Sequence, residues 1–268
     1  MCADGAIPSS VPHYKKNNMK KFNGAILFEG PSSYDGQNIV VIMTGLASAS
    51  TNSKTGDMIQ TYILLQDVNP IEAVKTGDDV SICGDCKHRP SLSKETGEAR
   101  CYVNVGQGAT MVWKAYKRGN YPRISLETAK TFVKGRNVRF GTYGDPCVAP
   151  IEVFQALAET CKGRTGYTHR WMDKDFNPEW KALVMASVDN VFEKLVADDM
   201  GMRYFRVEIG TQTPLQGEVR CPASKEGGYK TTCTNCRLCS GNTIKAKSIV
   251  ISDHGLGHKS RAKALQTI

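Results

Sequence analysis

Eight short β-like runs, separated by mostly helical connectors, predict an α/β protein. Eight is also the number of strands that closes a (β/α)8 barrel, and the 268 residues fit the roughly 250 typical of that fold. The expected architecture is therefore a (β/α)8-like TIM barrel, regular or irregular, with cysteine-rich loops at the C-terminal ends of its strands. An open doubly wound sheet satisfies the same alternation and stands as the alternative.

The β-like runs are Ile39–Gly45, Asp79–Cys83, Val138–Tyr143, Gly166–Trp171, Leu183–Val188, Arg203–Ile209, Glu218–Cys221 and Ser248–Ser252. Most are rich in β-branched or aromatic residues, and many end at turn formers. Helices are expected where start and stop signals bracket an apolar period. Asn69-Pro70 opens one that Gly77 closes; Ser125 precedes Leu126, Ala129, Phe132 and Val133, with Gly135 after them. Pro150 leads a helix with Ile151, Phe154, Leu157, Ala158 and Cys161 on one face. Asn177-Pro178 starts another, and Val191, Leu195 and Val196 share the apolar face of a third. Met58, Ile59, Tyr62 and Ile63 suit a helix over Thr55–Leu65 slightly better than a strand. Residues 1–22, with Lys15, Lys16, Lys20 and Lys21, read as a basic flexible arm before a single barrel-like domain over 23–268.

Composition narrows the function. The chain has 35 Lys+Arg against 26 Asp+Glu, a formal charge of +9, and ten cysteines. No run approaches the roughly 18 apolar residues of a membrane helix, so no membrane partner is expected. The first twenty residues lack the apolar centre of a signal peptide, so a cytoplasmic setting is expected. In a reducing compartment the cysteines argue for thiolate chemistry or metal ligation rather than a disulfide framework.

The strongest motif is Cys221-Pro222 followed by Cys233-x-x-Cys236-x-x-Cys239. Two-residue gaps let successive thiolates wrap a compact centre while a remote Cys-Pro supplies the fourth. That is the ligand set of a ferredoxin-type [4Fe–4S] cluster, with the remote cysteine upstream. Tetrahedral zinc on the same thiolates is the competing reading. A second group, Cys83-x-x-Cys86 with Cys101, is one ligand short, and His88 or Cys147 could complete it. Zinc, a second cluster, or a cluster with an open iron would each fit, the last giving a metal-dependent enzyme. Cys161 reads as core packing.

Weaker catalytic candidates are His169, Asp189, Asp253 and His254. His169 fits a hydrogen-bonded core histidine as well, and Asp189-Asn190 a helix cap. Lys114, Lys117 and Arg118, interleaved with Trp113, Tyr116 and Tyr121, could hold single-stranded nucleic acid by charge and stacking; solvated helix faces explain the same residues.

The stretches Lys54–Gln60, Cys83-Gly-Asp-Cys86, Cys101–Gly106, Tyr143-Gly-Asp-Pro146, Gly166-Tyr-Thr-His169 and Cys221–Ser224 with Thr232–Cys239 resemble a largely uncharacterised bacteriophage- and plasmid-encoded family. The resemblance spans residues 40 to 255 and implies a viral or mobile-element protein of the bacterial cytoplasm. The chain also resembles, more faintly, radical S-adenosylmethionine enzymes, which set a [4Fe–4S] cluster at the mouth of a βα barrel. Their three cysteines have gaps of three and two after the first strand; here the gaps are two and two after the seventh run, with a fourth cysteine available. The expectation is an iron–sulfur protein with a redox or structural role, served by an unknown redox partner or small molecule. A zinc-stapled nucleic-acid-binding replication or regulatory factor is the alternative.

Overall fold

The computed structural model describes residues 22–48, 54–92, 101, 103–208, 213–228 and 230–253. Its chain opens on an antiparallel meander of β1 (Gly24–Pro31), β2 (Asn38–Thr44) and β3 (Ile59–Leu65). The run Ile39–Met43 is buried at every position, as a Val/Ile-rich strand covered on both faces should be. From β3 onward the pairing is parallel. β3 pairs with β4 (Asn137–Tyr143), and β4 with β5 (Gly163–Thr165), completing a sheet of order β1-β2-β3-β4-β5.

Only Gly166 separates β5 from β6 (Tyr167–Thr168), which begins the second sheet. That sheet is wholly parallel, of order β6-β7-β8-β10-β9, with β7 at Met185–Val188, β8 at Tyr204–Glu208, β9 at Glu218–Arg220 and β10 at Ser248–Ser252. A Cβ at Gly166 would come within 2.9 Å of Val184 Cγ1 and 3.0 Å of Phe140 Cβ, so the crossing between sheets needs a residue without a side chain.

Among the described residues seven α-helices connect the strands: α1 (Pro70–Thr76), α2 (Val80–Cys83), α3 (Gly108–Lys117), α4 (Leu126–Val133), α5 (Ile151–Thr160), α6 (Val191–Asp199) and α7 (Cys233–Cys236). The expected caps hold at α1, where Asn69 Oδ1 accepts from Ile71 N at 2.9 Å, and at α4, where Ser125 Oγ accepts from Thr128 N at 3.2 Å. The core between sheet and helices is aromatic at its centre: Phe154 meets Phe140 edge-on at 5.0 Å and Trp180 at 5.4 Å.

The α/β class is therefore realised, with differences in detail. The described strands number ten, in two sheets, and the first two are antiparallel. Among the described residues no ladder joins the outer strands β1 and β9. Residues 59–65 form a central strand rather than part of a helix, because Ile59, Thr61 and Ile63 alternate on one face between two pairing partners. The run Asp79–Cys83 is a helical turn, since five residues with only Val80, Ile82 and Cys83 apolar are too few for a period to separate strand from helix. Residues 178–182 after Asn177 form a 3-10 turn. On α6, Val191 and Leu195 of the expected apolar face are exposed, while Val196 packs against the core beside the buried Lys194 and Ala197. Among the described residues no helix is long and apolar enough to cross a membrane. The basic arm up to residue 21, Cys2 and His254 lie outside the described residues.

Candidate metal centre

Hydrogen bonds between the C-terminal segment and the first sheet decide where the cysteines go. Cys233 N donates to Lys54 O at 2.9 Å, Asn137 Nδ2 to Thr234 O at 3.1 Å, and Gly166 N to Cys239 O at 3.1 Å. Lys54 precedes β3 and Asn137 opens β4, so Cys233–Cys239 sits at the N-terminal ends of those strands. The turn α7 stops at Arg237, whose φ of 54° is the only positive value at a non-glycine residue among those described. That left-handed residue reverses the chain and returns Cys239 toward Cys233. Cys221 leaves β9 with its N–H bonded to Val250 O at 2.9 Å, and its charge reaches Cys233 and Cys239.

The other group lies at the opposite ends of the same strands. Cys83 closes α2, which is pinned where Asp145 N donates to Ile82 O at 2.7 Å just after β4. Cys86 follows in the next turn, and Cys101 lies close enough to influence the ionisation of Cys83 and Cys86. Between the two ends runs a cavity of about 630 Å³ that opens to solvent. All seven thiols line it, together with Arg139, Tyr167 and Phe205 from the strands. The cysteine-rich loops, all expected at the C-terminal ends of the strands, thus lie at both ends of one cavity.

Burial sets the ionisation of these thiols. It pushes Cys239 up to about 12, against the easing effect of the Tyr167 hydroxyl, and raises Cys221 and Cys233 in the same direction. Cys86 is also pushed up to about 12 by burial, and Cys83 well above the usual thiol range by burial and its cysteine neighbours. Thiols so placed stay neutral until a cation arrives, and binding one releases their protons. Arg139 lies beside the C-terminal group; its Nε is buried with no hydrogen-bond partner, and its charge favours the Cys233 thiolate.

Of the two candidates for a further ligand to Cys83, Cys86 and Cys101, Cys147 is buried in the 3-10 turn after β4 and is not among the cavity-lining residues. His88 lines the cavity but faces another group. Its Nε2 is 2.8 Å from Asp189 Oδ2, and its ring meets that of His169 edge-on at 5.5 Å. Burial keeps His169 neutral, lowering its pKa to about 4. Asp189 is held below the usual carboxylate range: burial opposes this, but the nearby His88, His169 and Lys87 outweigh it. His169 follows β6 and Asp189 follows β7, so two weak candidates come together because neighbouring parallel strands end side by side.

The remaining candidates separate. Asp253 bonds through its N–H to Glu208 O at 2.6 Å and does not line the cavity. Cys161 ends α5 and packs on the core, as expected. Lys114, Lys117 and Arg118 lie on α3 and its cap, where Lys117 pairs with Asp67 at 3.0 Å. The interleaved aromatics turn inward: Trp113 Nε1 donates to Leu65 O at 3.0 Å, and the Tyr116 hydroxyl to Glu29 Oε1 at 2.6 Å. Sequence reasoning missed Arg139, whose only signal was a basic residue in the middle of a strand.

Comparison of the chain with family models, with curated proteins and with solved structures finds no match.

Proposed function

We propose that this chain is an iron–sulfur protein in which Cys221, Cys233, Cys236 and Cys239 hold a [4Fe–4S] cluster that exchanges electrons with chemistry in the cavity. The observation that carries the reading is the shared cavity: four thiols of one short segment face it from one end and three more from the other. The donor set suits the group. Among the described residues no three cysteine sulfurs lie within 4.8 Å of one another. One zinc ion with bonds of about 2.3 Å needs its sulfurs roughly 3.8 Å apart. A cubane binds each thiolate through a different iron and tolerates wider spacing. Four thiolates around an oxidised cubane carry about −2, which the charge of Arg139, whose Nε is buried, is placed to offset.

In this reading the seven parallel staves β3, β4, β5/β6, β7, β8, β10 and β9 form an incomplete β/α barrel around the cavity. Cys83, Cys86 and Cys101 supply three thiolates at the C-terminal ends, where a cluster with one open iron would meet a substrate. The zinc-stapled nucleic-acid reading draws less support, since Trp113 and Tyr116 are engaged internally and offer no stacking platform.

Anaerobic purification tests the proposal. The expected protein is brown, with about four irons and four sulfides per C-terminal site, and loses that absorbance when Cys233 and Cys236 are replaced by serine. A colourless protein carrying stoichiometric zinc overturns it.

A further inference from the structure

We propose that His88, His169 and Asp189 form a site for one divalent transition-metal ion, distinct from both cysteine groups and open to the cavity. Among the described residues this is the one group of three potential ligands whose donor atoms all lie within 4.8 Å of one another. The side chains of His88 and Asp189 are only 9 % and 6 % exposed. Both ring nitrogens of His88 are buried, Nδ1 without a hydrogen-bond partner; Nε2 lies 2.8 Å from Asp189 Oδ2, which also meets Lys87 Nζ at 3.2 Å. A simple His–Asp pair would give His169 no role. A cation at the centre takes a lone pair from each of the three residues.

The surrounding contacts hold the ligands in place. His169 N donates to Asp145 Oδ2 at 2.8 Å, fixing the residue as it leaves β6. Asn190, not Asp189, caps α6, accepting from Glu193 N at 2.8 Å; Glu193 Oε2 in turn accepts from Asp189 N at 2.7 Å. The Asp189 carboxylate is thereby released from helix capping. Lys87, with Nζ 2.8 Å from Glu193 Oε1 and 3.2 Å from Asp189 Oδ2, closes the outer side. Two imidazoles and one carboxylate suit Fe(II), Mn(II), Co(II) or Zn(II), and three protein ligands leave positions for a small oxygen- or nitrogen-donor ligand in the cavity. The site does not depend on the iron–sulfur reading.

Co(II) titration of the full chain under argon, followed by absorbance and metal analysis, tests it. Wild-type protein should bind one equivalent more than Asp189→Asn or His88→Gln, or bind it at least tenfold more tightly. The wild-type-minus-variant spectrum should show weak d–d bands without thiolate-to-cobalt charge transfer. Circular dichroism checks that each variant is folded, and His169→Gln replaces either that is not. Equal stoichiometry and affinity in wild type and variants overturns the proposal. So does thiolate charge transfer in the difference spectrum, which would make His88 a ligand of the Cys83, Cys86 and Cys101 group. The iron–sulfur chromophore of Asp189→Asn is read separately: its absence in wild type as well defeats the proposed function and leaves this site standing.

Discussion

Arg206 grips Glu218 through two parallel bonds, Nε to Oε1 and Nη2 to Oε2, each 2.7 Å. The pair is nearly inaccessible, and a second pair, Arg220 to Glu208 at 2.9 Å, adjoins it on the same sheet. Glu218→Gln leaves Arg206 only its longer contact to Glu208, at 3.5 Å, and breaks a buried bidentate pair, so it should cost about 3 kcal/mol in urea unfolding at neutral pH. The pH dependence has a definite sign. Burial raises the Glu218 carboxyl, but Arg206 and the Leu215 N–H outweigh it and hold it below 4.5. Its contribution is therefore full above about pH 5 and is lost as the pH falls through the lowered folded-state value. The gap between wild type and Glu218→Gln should narrow on acidification; a gap that widens would mean the pair is not ionised.

Gly144 connects β4 to Asp145 with φ at +81°, and a Cβ there would meet Ile63 Cβ at 2.7 Å and Ile63 O at 2.8 Å. Backbone strain and a clash with a packed strand act together. Gly144→Ala should lower stability by about 2–4 kcal/mol, whereas Gly119→Ala, with open space around it, should cost only the left-handed strain of about 1 kcal/mol. Thermal unfolding of the two variants side by side measures the difference, and equal losses would discount the close approach to Ile63.

What the sequence made legible follows from what local pattern encodes. The caps at Asn69, Ser125 and Asn177 are short-range chemistry and hold in the structure. The placement of Asp189 after a β-run was also readable, while His169 was expected inside one; their meeting depends on β6 and β7 being neighbours, which no local pattern records. The same gap explains the cysteines. Spacing grouped Cys233, Cys236 and Cys239, while the end of the sheet they occupy is set by bonds to Lys54, Asn137 and Gly166, far away in sequence. The strand β3 was obscured because Met58, Ile59, Tyr62 and Ile63 satisfy a helical period by coincidence; its two pairing partners settle the matter.

Asn190 carries a prediction that separates helix stability from site geometry. Its side chain accepts from Glu193 N at 2.8 Å, so Asn190→Ala should cost about 1 kcal/mol. Asn190→Asp keeps an acceptor at the cap and should restore most of that loss. If capping also spares the Asp189 carboxylate, the alanine variant should weaken Co(II) binding more than the aspartate variant does. Identical cobalt affinities in the two would show that Asp189 is held without help from the cap.

Cys86 and Cys236 line the same cavity from opposite ends, and their variants should therefore behave independently. Cys236→Ser removes one of four thiolates at the C-terminal group, and the visible absorbance of that centre should fall by more than half under argon. Cys86→Ser leaves the four C-terminal thiols intact and should retain that absorbance while lowering total metal per chain. Sites that share no ligand lose metal additively, so the double variant should show the sum of the two losses. Loss of all absorbance in Cys86→Ser would instead join the seven thiols into one centre. Iron and zinc analysis of the three proteins, purified in parallel, distinguishes the two arrangements.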